Sequence, residues 1–130
     1  MYRQMSFNHL VITVTTSPIY QGYAAFFTVT AYSSADNSVI DTSFAGTIAF
    51  TPNYFTFYDA NNPNVPITSY TFTSSDNGVH NFAVIDDILG FHTFTISIDD
   101  SYSTTGNLTV IAGAPTFGNC CQMNCCKMNC

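Results

Sequence analysis

Side chains able to do covalent or coordination chemistry are concentrated in one short stretch of this 130-residue chain, GNCCQMNCCKMNC at 118–130. It holds all five cysteines, Cys120, Cys121, Cys125, Cys126 and Cys130, in an Asn-Cys-Cys-x-Met repeat of period five. Two chemistries suit it. In an oxidising exterior the thiols would form disulfides, and an odd count leaves at least one to pair between chains. The alternative is soft-metal ligation, since thiolates with the thioethers of Met123 and Met128 suit Cu(I) or Zn, although the spacing matches no standard zinc template.

The other candidate groups are hard oxygen donors, histidines and aromatic rings. Ca²⁺ needs several oxygens close together. Asp86-Asp87 and Asp99-Asp100 fall at strand ends, and Asp59, Asn61 and Asn64 share one loop, but without EF-hand spacing they read as solvated turn residues. No resident cofactor is expected. His9, His80 and His92 would be the material for a metal trio or a base beside a serine, yet His80 and His92 lie within strand patterns and are expected to be structural. There is no GxSxG, phosphate-loop, HExxH or dinucleotide fingerprint, so the sequence reads as that of a protein without catalytic activity. Phe55, Phe57, Tyr58, Asp59 and Asn61 in the segment 52–68 form a possible ligand loop; its rings either cap the core, the commoner outcome, or meet a carbohydrate or protein receptor.

Composition narrows the partners. Charged residues are 8% of the chain, Lys and Arg number two, and the net charge is −6. With no basic patch to displace counterions, nucleic acid is excluded, and anionic membranes on the same ground. No stretch approaches the ~20 apolar residues that span a bilayer, so no membrane insertion is expected. The N-terminal MYRQMSFNHL lacks the apolar run of a secretory signal. No Lys or Arg stands between Gln4 and Cys126, which suits a protease-rich exterior.

The elements that must position these groups have a period of two. LVITV at 10–14, AAFFTVTAY at 24–32, TIAFT at 47–51, SYTFT at 69–73, VHNFAV at 79–84, HTFTISI at 92–98 and NLTVIA at 107–112 each put apolar residues on one face, and a further short strand is expected near 38–41. Turn-forming runs separate them, among them Asn77-Gly78, which can supply positive φ. The pattern predicts an all-β antiparallel sandwich of about seven strands, with 1–7 an extension, 8–114 the sandwich and 115–130 a tail. The segment 52–68, PNYFTFYDANNPNVPIT, breaks the period and reads as a long inserted loop.

FTVTA at 27–31, FAGTIAFT at 44–51, YTFTSSDNGVHNF at 70–82 and GFHTFTISID at 90–99 together resemble the bacterial immunoglobulin-like repeats of large surface and adhesin proteins. The 70–82 block is the most specific part. The resemblance implies an immunoglobulin-like sandwich serving as a rod-forming spacer, and it assigns no catalytic residue. Tyr32 stands where the family usually has Asp, the 52–68 segment is longer than usual, and the tail has no counterpart.

These readings converge on an extracellular structural protein, a subunit or repeat of a self-assembling surface filament or adhesin, with copies of itself as partner and the cysteine tail as cross-link. The alternatives are a carbohydrate- or receptor-binding surface module and a virion fibre or decoration domain. Edge strands are usually guarded by charge or Pro. With no Lys on any expected strand, the edges are expected to be open to strand addition from a neighbouring copy.

Overall fold

The computed structural model describes residues 7–52, 54–99 and 102–112. The chain forms β1 (His9–Val14), β2 (Ile19–Tyr20), β3 (Ala24–Tyr32), β4 (Thr47–Thr51), β5 (Thr56–Asp59), β6 (Asn62–Ile67), β7 (Ser69–Thr71), β8 (Val79–Ile85), β9 (Gly90–Ile98) and β10 (Tyr102–Ile111). A 3₁₀ turn, Ser74–Asp76, precedes β8. One five-stranded sheet has the order β1-β3-β8-β5-β6 and the other β2-β10-β9-β4-β7.

The two sheets bury the faces that period two marks out. Ala25, Phe27, Val29 and Ala31 of β3, Phe82 and Val84 of β8, and Ile48, Phe50, Phe94, Ile96, Leu108 and Val110 of the second sheet meet between them. Phenylalanine dominates the centre: the Phe27 ring lies 4.9 Å from Phe94 and 5.4 Å from Phe82, and Phe50 stacks on Phe57 at 4.7 Å. Burial of each such ring contributes about 1.5–3 kcal/mol. Gly106 lets β10 close over this core, because a Cβ there would come within 2.6 Å of Phe94 Cζ and 2.8 Å of Ile12 Cγ2.

The expected all-β sandwich is present, with ten strands among the described residues; β2 runs parallel to β10, so the chain passes from one sheet to the other after β1. Two expectations are corrected. The segment 52–68 is no loop. It makes β5, paired with β8, and the hairpin partner β6. Its Asn and Pro residues suit β6 because that strand is an edge, bonded only to β5, where a missing backbone donor is tolerated. The strand near 38–41 shrinks to one bridge between Tyr32 and Ile40.

The edges are also guarded, by means other than charge. Prolines block β6, while β2 and β7 have two and three residues. On β1 the Tyr102 hydroxyl accepts from Leu10 N at 3.0 Å and lies 3.3 Å from Leu10 O, filling an outward-facing ladder position. Phe7, assigned to the extension by sequence, packs on Phe44 and Tyr102.

Strand register sets the chain's polarity. His9 pairs with Tyr32, at the pole where β8 begins, whereas Val110 pairs with Gly90, at the pole where β8 has ended. The described chain therefore starts at one pole and leaves at the other.

Candidate functional site

The 70–82 block builds a polar cluster at the first pole. After β7, Thr73 and Asp76 form a capping box around the 3₁₀ turn, Asn77 adopts φ 54°, and Gly78 follows at φ 80°. Only glycine serves at 78, where a Cβ would sit 2.5 Å from Asp41 O. This turn aims Asp76 at the inward-facing His80 of β8.

His80 is buried, with Nδ1 2.7 Å from Asp76 Oδ1 and Nε2 2.8 Å from Asp59 Oδ1. Tyr70 stacks on its ring at 4.2 Å and donates its hydroxyl hydrogen to Asp76 Oδ2 at 2.9 Å. Thr73 N–H donates to the same oxygen at 2.9 Å. Burial pushes the Asp76 carboxyl upward, but the hydrogen bonds from Thr73, His80 and Tyr70 outweigh it and hold the group below its ordinary value. Burial first, then the bond to Asp76, raises the Tyr70 phenol well above its ordinary range. Carboxylates at both ring nitrogens leave His80 no free position for a metal or a moving proton. The cluster ties the β5–β6 hairpin, β7 and β8 together.

A second pair lies at the opposite pole. Asp86 is fully buried; its Oδ2 lies 2.5 Å from His92 Nδ1 and its Oδ1 accepts from Ile88 N at 3.0 Å. Asp86 was expected as a solvated turn residue, and that expectation is corrected. Parity carried the missed signal: Asp86 continues the inward series His80, Phe82, Val84, and His92 precedes the inward Phe94 and Ile96. His9 bonds to Asn8 and Asn37 at the first pole.

The possible ligand loop is dispersed. Phe55 and Phe57 are buried in the core, Tyr58 is half-buried, Asp59 is committed to His80, and the Asn61 backbone donates to Asp59 Oδ1 at 2.9 Å. Cys120, Cys121, Cys125, Cys126 and Cys130 lie outside the described residues. Among the described residues no group of three or more His, Cys, Asp or Glu side chains is placed to hold a metal.

What sequence reasoning missed is a set of exposed apolar side chains at the pole where the described chain ends. Tyr20, Tyr23, Leu89, Phe91 and Ile111 are all exposed, Tyr23 and Phe91 by 67% and 65%. Tyr20 pairs with Ile111, Tyr20 lies 6.2 Å from Tyr23, and the Gln21 amide donates to Asp87 O at 2.6 Å, which binds the β2–β3 and β8–β9 turns together.

Solved structures share this architecture. An S-layer protein, SbsC, superposes with a TM-score of 0.55 at 18% identity over 85% of the chain, which spans 14% of that protein. Domains 4 and 5 of the same protein match with a TM-score of 0.53 at 17% identity, covering 82% of this chain and 53% of that one. The chain has the fold of S-layer domains. A β-glucuronidase of Parabacteroides merdae matches with a TM-score of 0.58 at 10% identity over 85% of the chain and 13% of the enzyme. No protein-family model matches the sequence, and no curated protein does. At these identities the likeness concerns fold alone. It still corrects the exclusion of an enzyme, because the same sandwich occurs inside a glycosidase, so neither the fold nor missing local motifs can exclude catalysis. Among the described residues no helix is long and apolar enough to cross a membrane.

Proposed function

We propose that this chain is an immunoglobulin-like structural domain of a bacterial cell-surface protein, joined end to end with copies of itself and cross-linked outside the cell through its cysteine tail. The observation that carries the reading is polarity: the described chain starts at one pole and leaves at the other, and the exit pole presents Tyr20, Tyr23, Leu89, Phe91 and Ile111 to solvent. A pole of this kind meeting a different surface of the next copy is a heterologous contact, which propagates into open filaments or arrays.

Three further features support it. The fold is that of S-layer domains. The order β1-β3-β8-β5 against β10-β9-β4 follows the two-sheet arrangement of constant-type immunoglobulin domains, with β2, β6 and β7 added. A chain with 8% charged residues meets little repulsion between packed copies.

Sedimentation of the full chain tests the reading. Under reducing conditions the expected result is concentration-dependent association that Phe91→Asp abolishes, and without reductant a ladder of covalent oligomers on a denaturing gel. A monomer at all concentrations overturns the end-to-end contact, and a ladder-free gel overturns the cross-link.

A further inference from the structure

The outer face of the β1-β3-β8-β5-β6 sheet carries a groove of about 330 Å³ lined by Thr15, Phe26, Phe27, Thr28, Ala60 and Asn81. Phe26 on β3 is 45% exposed on this outer face, while its neighbours in the chain, Ala25 and Phe27, face the core. Across the sheet Phe26 is opposite Ala83, and Ala83 is opposite Tyr58. Ala83 points outward yet is buried, because aromatic residues stand on both sides of it. One strand pair further along, Thr28 is opposite Asn81, and its hydroxyl donates to Asn81 Oδ1 at 2.7 Å. That bond turns the amide so that its N–H₂ hydrogens remain for a ligand. The Thr15 hydroxyl donates to Phe26 O at 3.1 Å, which leaves its lone pairs as acceptors.

We propose that this groove is a binding site for a neutral carbohydrate, with a pyranose ring stacked on Phe26 and its hydroxyls meeting Asn81 as donor and Thr15 as acceptor. The chemistry selects the class. An exposed aromatic face matches the C–H face of a sugar ring, and sugar hydroxyls both donate and accept. No charged side chain lines the groove, so an anionic glycan finds no cation and is repelled by a net charge of −6. The groove opens on the outer face of a sheet, beside but not on the turns that form the exit pole.

The test is titration of the ¹⁵N-labelled full chain with neutral disaccharides of glucose, galactose and N-acetylglucosamine at millimolar concentrations, with a uronic-acid disaccharide and an aromatic dipeptide run in parallel. Saturable shifts of Thr15, Thr28 and Asn81 with at least one neutral sugar are expected, and Phe26→Ala should weaken that binding at least about tenfold while amide resonances away from the groove stay those of the folded chain. Asn81→Ala should weaken it as well. The site is refuted if no neutral sugar gives saturable shifts, if Phe26→Ala binds as tightly, or if only the charged sugar or the peptide binds.

Discussion

Replacing Asp76 by Ala is the sharpest test of the cluster at the first pole. The carboxylate is mostly buried and accepts from Thr73 N, from Tyr70 Oη and from His80 Nδ1. Hydrogen bonds to a charged group contribute about 1.5–3 kcal/mol each, but three that share one acceptor are not additive. Removing one partner of a buried pair costs about 3–5 kcal/mol because the other is left desolvated and unpaired. Asp59 still engages the far side of His80, which places the expected loss near the low end, about 3 kcal/mol. For a domain of this size that lowers the melting temperature by on the order of 15 °C. Thermal and urea unfolding followed by far-UV circular dichroism would measure it, with Asp36→Ala as control. Asp36 also accepts hydrogen bonds, from Ser38, but on an exposed turn, so its removal should stay within about 0.5 kcal/mol. Equal losses for the two variants, or a loss below about 1 kcal/mol for Asp76→Ala, would show that the cluster does not hold the β5–β6 hairpin.

The same groups set the pH dependence of stability. The Asp76 carboxyl is depressed on folding, so its contribution is present above the ordinary carboxyl range, about pH 4, and fades as pH falls below it; Asp76→Asn should flatten that acid limb in pH-resolved urea melts. The Tyr70 phenol is raised, so its contribution holds below about pH 10 and is lost as pH climbs beyond, a limb that Tyr70→Phe should remove. Gly106→Ala places a methyl group against Phe94 and Ile12 and should cost about 1–3 kcal/mol by calorimetry. Phe57→Ala should cost about 3–5 kcal/mol because that ring stacks on Phe50 inside the core, while Phe91→Ala on the exposed pole should stay within about 0.5 kcal/mol. Thr13→Lys on β1 charges the edge of a sheet; sedimentation should show association unchanged, whereas a loss would mean that copies join through strand pairing.

Much of the fold was legible because alternation decides which side chains face inward, and the buried positions of β3 and β9 follow it, while β8 adds Ala83, buried on the outer face. It failed where local composition and tertiary context disagree. NPNVPI reads as loop by composition, yet Pro63 and Pro66 are tolerated because β6 pairs on one side only. Two-residue β2 carries too few positions to show a period at all. The polar clusters were half legible. His80 and Asp76 stand four apart in the block that carried the family resemblance, but Asp59 reaches His80 from 21 residues away, and only the β5–β8 register brings them together. Asp86 is the opposite case: the general preference of Asp for turns points to solvent, whereas its parity with His80, Phe82 and Val84 points inward, and burial follows parity.

The scarcity of charge acquires a different meaning once the edges are seen. A sheet without Lys was expected to invite strand addition, but prolines on β6, the brevity of β2 and β7, and the Tyr102 hydroxyl on Leu10 already oppose it. Guarding of this kind does not depend on ionic strength or pH, whereas guarding by charge weakens as salt screens it. A domain whose edges are closed by prolines, short strands and a hydrogen-bonded tyrosine can carry almost no charge and still keep its backbone from pairing with a neighbour. In the end-to-end contact proposed above, low charge would remove repulsion at the pole of Tyr20, Tyr23, Leu89 and Phe91 without opening the ladder elsewhere. Association of copies would then be directed to side chains at one pole, and a contact made by side chains fixes orientation more narrowly than a strand edge, which can slip in register.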